Sequence, residues 1–140
     1  MATHYIVGCG AIARNSEGRF LMVRQMGGYW RGQWIFPGGK LELGETLEQC
    51  ARREFLEETY CDITIKKLVG AYVSYDPDTE FEKQVVLIYF QGNSVCGEPR
   101  AGEGVTDVRW LSLEELESLE KSGQVPHIII QIAKDTLKIK

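Results

Sequence analysis

The stretch Gly39-Lys40-Leu41-Glu42-Leu43-Gly44-Glu45-Thr46-Leu47-Glu48-Gln49-Cys50-Ala51-Arg52-Arg53-Glu54-Phe55-Leu56-Glu57-Glu58-Thr59-Tyr60-Cys61 carries the most information in this chain. Its second part reads as a helix from Thr46 to Thr59. Thr46 and Gln49 form a capping-box pair: the hydroxyl accepts the Gln49 amide, and the glutamine side chain reaches back to the start. At roughly 100° per residue, Leu47, Ala51, Glu54, Phe55 and Glu58 share one broad face, with Cys50 and Glu57 on its edge. An ordinary amphipathic helix keeps its carboxylates opposite the apolar stripe. Here Glu54 and Glu58 lie inside the stripe and Leu56 lies opposite, so protein is expected on both sides of the helix.

Glu54, Glu57 and Glu58 stand at i, i+3 and i+4 spacing. Like charges so placed repel, and partial burial strengthens the repulsion. A cation must offset it. Hard divalent ions prefer carboxylate oxygens, and magnesium is the usual choice where a phosphate shares the shell. A solvated acidic face is the bland alternative, and the residues upstream weigh against it. Phe36-Pro37-Gly38-Gly39-Lys40 precedes the helix and Gly44-Glu45 leads into it. Glycines let a chain turn sharply and bring bare amides and carbonyls close to a metal or phosphate.

Outward from this segment, the chain alternates extended and helical patterns. Tyr5–Ala13 and Arg19–Arg24 read as strands joined through the turn Asn15–Gly18, together a hairpin. The glycine-aromatic stretch Met26–Gly32 reads as a loop, and Trp34–Phe36 as a short extended piece. Past the helix, Ile63–Ile65 and Leu68–Tyr75 read as strand interrupted by Lys66-Lys67. Asp76-Pro77-Asp78 reads as a turn, and Val85–Phe90 as a central strand. Cys96–Gly104 reads as a loop and Val105–Leu111 as a further strand. Ser112 with Glu115 opens a capped helix to Lys121, and Pro126 suits the first turn of a last helix through Leu137. The result is an α/β chain with a mixed sheet flanked by helices, one domain over residues 1–140.

The bulk numbers narrow the function. Hydrophobic residues at 44% and charged residues at 26% fit a folded chain rather than a disordered one. The net charge is −4 with no Lys/Arg block, which disfavours a nucleic-acid polymer and suits a small phosphorylated ligand. No apolar run is long enough to span a bilayer, and the start lacks signal-peptide features. The expectation is a cytoplasmic protein without membrane contact. Cys9, Cys50, Cys61 and Cys96 form no CxxC pair and are expected to be reduced thiols. The two histidines stand far from other ligand types.

The segment resembles the signature of the Nudix hydrolase family: a glycine, five residues, a glutamate, seven residues, then Arg-Glu-apolar-any-Glu-Glu-any-Gly-apolar. Gly39, Glu45 and Arg53-Glu54-Phe55-Leu56-Glu57-Glu58 match it, while Tyr60 replaces the last glycine. That glycine suits a left-handed helix cap, so Tyr60 is expected to strain the cap by about 1 kcal/mol without touching the ligands. Trp110-Leu111-Ser112 with Glu114-Glu115-Leu116 also resembles the family's C-terminal strand-to-helix junction. The resemblance implies an α/β/α sandwich and a magnesium-dependent hydrolase, with Mn2+ as a substitute, acting on a diphosphate bond. It implies Glu54, Glu57, Glu58 and the Gly38 carbonyl as metal ligands. Arg53 would orient Glu57, Glu45 would act through water or another ligand, and Glu57 or Glu103 would be the general base.

Arg24 and Lys40 are candidate phosphate contacts, and Trp30, with Tyr29 and Trp34 beside it in sequence, is a candidate for stacking on a base. Size and the Arg24-to-signature layout favour a MutT-like nucleoside triphosphate pyrophosphohydrolase. Pro77 keeps an ADP-ribose or nucleotide-sugar pyrophosphatase open. A non-catalytic nucleotide sensor is the remaining reading, disfavoured because Glu45, Glu54, Glu57 and Glu58 are all present. The partner expected is a small nucleotide, and a homodimer is compatible with the family.

Overall fold

The computed structural model describes residues 4–76, 83–94 and 97–139. In chain order the elements are β1 (His4–Ile12), β2 (Phe20–Gln25), β3 (Trp34–Ile35), β4 (Gly38–Lys40), α1 (Leu47–Thr59), β5 (Ile63–Asp76), β6 (Lys83–Ser94), β7 (Val105–Leu111), α2 (Leu113–Lys121) and α3 (His127–Leu137). A four-stranded sheet runs β4-β1-β6-β5, and a three-stranded sheet runs β3-β2-β7. The larger sheet is mixed: β1 is parallel to β6, while β4 and β5 pair antiparallel with their neighbours.

Period-two alternation along β1 sorts its side chains between two cores. Cys9, Ala11 and partly buried Val7 pack with Cys50, Ala51 and Phe55 of α1. Ile12 and partly buried Ile6 face the other core, which holds Phe20, Phe36, Leu116 and Ile129. Helices therefore flank the mixed sheet on both faces, the layered α/β arrangement expected. The expected β1–β2 hairpin forms only at its turn, where Asn15 N–H donates to Arg19 O and Leu21 N–H to Ala13 O. Both edges of β1 are taken by β4 and β6, so β2 turns away after the isolated Arg14–Phe20 bridge and joins the second sheet. β5 is also continuous through Lys66-Lys67, absorbing the irregularity as register shifts at Ile65/Lys67 and Leu68/Gly70.

α1 begins with the capping box read from the sequence: Thr46 accepts the Gln49 amide, and Gln49 accepts from Thr46 N–H. Cys50, Ala51, Phe55, Glu58 and Thr59 are buried. Leu56, expected to be covered, is 47% exposed; α1 buries one broad stripe, and protein does not enclose the helix on both sides. Pro126 stands at the N-cap of α3, one position before the helix proper. Cys61 is disulfide-bonded, which corrects the expectation of reduced thiols there, while Cys9 and Cys50 are free and buried. Cys96 and Pro77 lie outside the described residues. Among those residues, no helix is long and apolar enough to cross a membrane.

Tyr60 ends α1 in the left-handed conformation, φ 59° and ψ 16°, with its N–H donating to Leu56 O. The Arg100 guanidinium sits over the Tyr60 ring at 4.2 Å. The same loop supplies three amide donors to the helix end: Arg100 to Thr59 O, Gly102 to Glu58 O and Glu103 to Glu57 O. Carbonyls that α1 leaves unpaired are satisfied by a distant segment. A Cβ at position 102 would overlap the Glu57 carbonyl oxygen, so glycine is required for this approach.

Left-handed strain of roughly 1–2 kcal/mol at Tyr60 opposes a cation–π contact of about 0.5–1 kcal/mol. Tyr60→Gly is therefore expected to change stability by less than about 1 kcal/mol, once the unfolded-state entropy of glycine is included. Tyr60→Ala keeps the strain, loses the ring and is expected to cost about 1 kcal/mol. Urea melts measure both; a loss above about 2 kcal/mol for Tyr60→Gly would show that the ring carries far more than the Arg100 contact.

Candidate active site

Four turns of α1 and the short β4 bring the acidic residues together around one cation, Arg53. Its Nε donates to Glu45 Oε2 at 2.6 Å and its Nη2 to Glu45 Oε1 at 3.0 Å, a two-pronged pair. Nη2 also donates to the Lys40 carbonyl at 3.0 Å. Nη1 donates to Glu54 Oε1 at 2.6 Å and lies 3.3 Å from Glu57 Oε2. Glu42 is a further neighbour at 3.7 Å. The sequence assigned Arg53 to Glu57, yet its shorter bonds go to Glu45 and Glu54.

The carboxylates divide by environment. The Arg53 hydrogen bonds hold Glu45 well below the usual range, at about 2. Glu54 is half-buried, and burial pushes its pKa up against the pull of Arg53. Glu58 is 6% exposed. Burial pushes it to about 8, against a hydrogen bond that Gly38 N–H donates to its Oε1 at 2.9 Å. The Glu54 carboxylate lies so close to Gly39 that a Cβ there would overlap it. β4 is thus threaded between the carboxylates and β1, and its two glycines are what let it pass.

Beside β4 lies a cavity lined by Gln25, Tyr29, Trp30, Ile35, Lys40 and Tyr89, with glycines of β1, β4 and the 27–28 turn. Tyr29 and Trp30 meet edge to face, ring centroids 5.2 Å apart, and the Tyr29 hydroxyl shares a 3.2 Å hydrogen bond with Ser74 Oγ. Trp34 is core rather than wall. Lys40 and Trp30, both candidate substrate contacts, line this cavity. Arg24 does not: it is exposed, with Nε donating to the Gly32 carbonyl at 3.1 Å. Glu103 is exposed, and its backbone N–H donates to Glu57 O at 2.8 Å, which brings the two candidate bases onto neighbouring backbone. Glu98 is exposed.

The sequence reading missed two participants. Gln25 follows Arg24 across a register shift in the β2–β7 ladder, and such a shift re-aims a side chain. Tyr89 is a buried phenol whose pKa is pushed up by burial and by Glu58. Alternation along β6 places Tyr89 on the cavity side, but nothing in the sequence brings β6 next to Glu58.

The donor set is oxygen-rich and hard. Among the described residues, no group of three or more His, Cys, Asp or Glu side chains is arranged to hold a metal ion. Magnesium keeps several waters and needs no dedicated all-protein cage, so carboxylates spaced like Glu54, Glu57 and Glu58 are chemically suited to it through oxygen donors.

An α/β layer fold carrying clustered glutamates beside an aromatic-walled cavity defines a phosphate-ester or anhydride site class. The chain matches the NUDIX domain over residues 4–130 and belongs to the Nudix hydrolase family. It is 31% identical over 103 residues to an ADP-ribose pyrophosphatase of Methanocaldococcus jannaschii, covering 74% of this chain and 60% of that protein. It is 31% identical over 132 residues to a MutT-like protein of Streptomyces ambofaciens, covering 94% and 78%. The crystal structure of a MutT protein from Methanosarcina mazei superposes with a TM-score of 0.82 at 26% identity, covering 100% of this chain and 99% of that one.

The buried Glu58 sets a pH dependence for the metal-free protein. Its folded pKa lies near 8, above an unfolded value near 4.3, so the folded state holds the proton longer. The Glu58 contribution to stability is therefore full at low pH and is lost as pH rises from about 4.5 through about 8. Glu45 and Asp62, both lowered, act only at more acid pH. In a chelator, the melting temperature is expected to fall between pH 5 and pH 8, and Glu58→Gln should flatten that slope. A flat profile for the unsubstituted chain contradicts the assignment.

Proposed function

We propose that this chain hydrolyses a diphosphate bond in a nucleotide with the help of magnesium, and that a nucleoside triphosphate is its substrate. The observation that carries the reading is the Arg53-centred glutamate cluster lying across β4 from a cavity walled by Tyr29 and Trp30. Such a pair of compartments suits a ligand with a charged phosphate chain at one end and a flat base at the other. Triphosphate is favoured over ADP-ribose by coverage of both chains: the two MutT-type comparisons extend over nearly this whole chain and over 78% and 99% of the other protein. The ADP-ribose reading draws on Pro77, on the Methanocaldococcus relative and on solved structures of a bifunctional enzyme from Francisella tularensis named in part as an ADP-ribose pyrophosphatase. The proposal takes a small nucleotide as partner, a cytoplasmic location, one domain over 1–140, and permits a homodimer.

In the proposed reaction a water attacks one phosphorus of the diphosphate and a phosphorylated product leaves. Glu54, Glu57 and Glu58, with the Gly38 carbonyl, would hold Mg2+ or Mn2+, which supplies charge neutralisation and a more acidic water. Glu57 or Glu103 takes the proton of the attacking water. Arg53 holds Glu54 and Glu57 in place while Glu45 holds Arg53. Lys40 meets the phosphate chain and Trp30 stacks on the base. Arg24, although exposed, lies one residue from the cavity and remains a candidate for a long phosphate chain. Phosphoryl transfer of this kind depends on charge neutralisation and in-line positioning more than on covalent chemistry.

Purified protein with magnesium should turn over one member of a panel of dGTP, 8-oxo-dGTP, ADP-ribose, diadenosine polyphosphates and nucleotide sugars. Glu57→Gln run alongside should lower kcat by about 10²–10⁴-fold, the range for loss of a general base or its equivalent. Turnover of ADP-ribose alone would replace the triphosphate assignment. Magnesium-dependent nucleotide binding with no turnover would replace the hydrolase by a sensor.

A further inference from the structure

Gln25 is the polar side chain that the mechanism above does not use. It is the last residue of β2, and its backbone is fixed on both sides: its N–H donates to Gln33 O, and its carbonyl accepts from Gly32 N–H. The register shift between Arg24 and Gln25 sends consecutive residues different ways. Arg24 lies along the surface, while Gln25 joins Tyr29, Trp30 and Tyr89 in lining the cavity. Its Nε2 is a buried side-chain donor without a hydrogen-bond partner among the described residues. The amide also approaches the Glu58 carboxyl and contributes to holding its pKa down, yet Nε2 completes no bond there. Buried donors are almost always paired, so Nε2 is free to meet an acceptor that a ligand brings into this corner of the cavity. The wall side chains Ile6, Ile35, Val85 and Leu87 carry no acceptor, and the acceptors nearby are the Glu58 carboxyl and the Tyr89 phenol.

Resting on the reading of the cavity as a base pocket, we propose that Gln25 determines base specificity. Its Nε2 donates to a carbonyl oxygen or ring nitrogen on the edge of a nucleobase held against Tyr29 and Trp30. The cavity walls give stacking area, which every base satisfies equally, and the amide gives the discrimination that apolar walls lack.

The test measures binding by calorimetry, with magnesium, of GMP, AMP, CMP and UMP, and of ribose 5-phosphate as a base-free probe. None of these contains a diphosphate bond, so the result is independent of turnover. The unsubstituted protein is expected to bind at least one nucleotide more tightly than ribose 5-phosphate. Gln25→Leu should weaken that nucleotide about tenfold and leave ribose 5-phosphate unchanged. Gln25→Asn, which keeps the amide on a shorter arm, should fall between them. Thermal melts confirm that each variant is folded.

An equal loss for the nucleotide and ribose 5-phosphate would assign Gln25 to the Glu58 side and overturn the proposal. Undiminished preference in Gln25→Leu, or no preference in the unsubstituted protein, would overturn it as well. If binding is base-selective through Gln25 while the triphosphate panel shows no turnover, the hydrolase reading fails and this one stands.

Discussion

The guanidinium of Arg53 is the point on which the rest of the site depends. Three half-buried or buried glutamates on successive turns of one helix cannot coexist without a cation, because their repulsion grows as water is excluded. Arg53 offers a planar fork of fixed geometry, and α1 and the 40–45 loop fill it: two prongs to Glu45, one to Glu54, a longer contact to Glu57, and the Lys40 carbonyl behind. Glu45 is thereby held ionised, and the loop before α1 is tied to the helix. Removing the guanidinium would strand Glu45 and Glu54 together, at a cost on the order of 3 kcal/mol. Glu58 lies outside the fork. Buried against Gly38 and Gln25, it rises toward neutrality, and in the proposed reading a metal ion would return it to the ionised form.

Backbone approach is the second constraint, and it acts through two glycines. Gly39 lets β4 lie against the Glu54 carboxylate, and Gly102 lets a distant loop lie against the Glu57 carbonyl. The first sets the floor between glutamates and cavity. The second feeds three N–H groups to the end of α1 and sets Glu103 beside Glu57. With that external cap, α1 tolerates tyrosine where a left-handed glycine would ordinarily close the helix. Tyr60 keeps the left-handed conformation all the same and finds Arg100 above its ring. The departure from the family pattern thus falls on the helix exit, away from the glutamate face of α1.

What the sequence made legible were features with a short-range cause. The Thr46 and Ser112 capping boxes, the apolar stripe holding Glu54 and Glu58, the strand at Val85–Phe90 and the mixed sheet all follow from local periodicity and turn chemistry. Misreadings occurred where partners come from far away. Strand β2 looked like the second arm of a hairpin because nothing local reveals that β4 and β6 occupy both edges of β1. Leu56 looked buried because apolarity alone does not say that a helix has one covered face. Gln25 was invisible for a similar reason: the register shift that turns it into the cavity depends on pairing with β7, about eighty residues downstream. Arg24 carried the charge that draws attention, while its neutral neighbour took the position at the wall.

Arg53→Lys is the most direct test of the account. Lysine keeps the charge and loses the fork, so Glu45 and Glu54 can no longer be held together from one residue. Calorimetric titration of magnesium into the two proteins, followed by turnover of the preferred panel substrate, reads the consequence. The account predicts a folded variant with weaker magnesium binding and kcat lowered about 10–100-fold, the scale for loss of a positioning partner around a metal site. Magnesium binding and turnover equal to those of the unsubstituted protein would contradict it, and would mean that the glutamates find their places without the guanidinium.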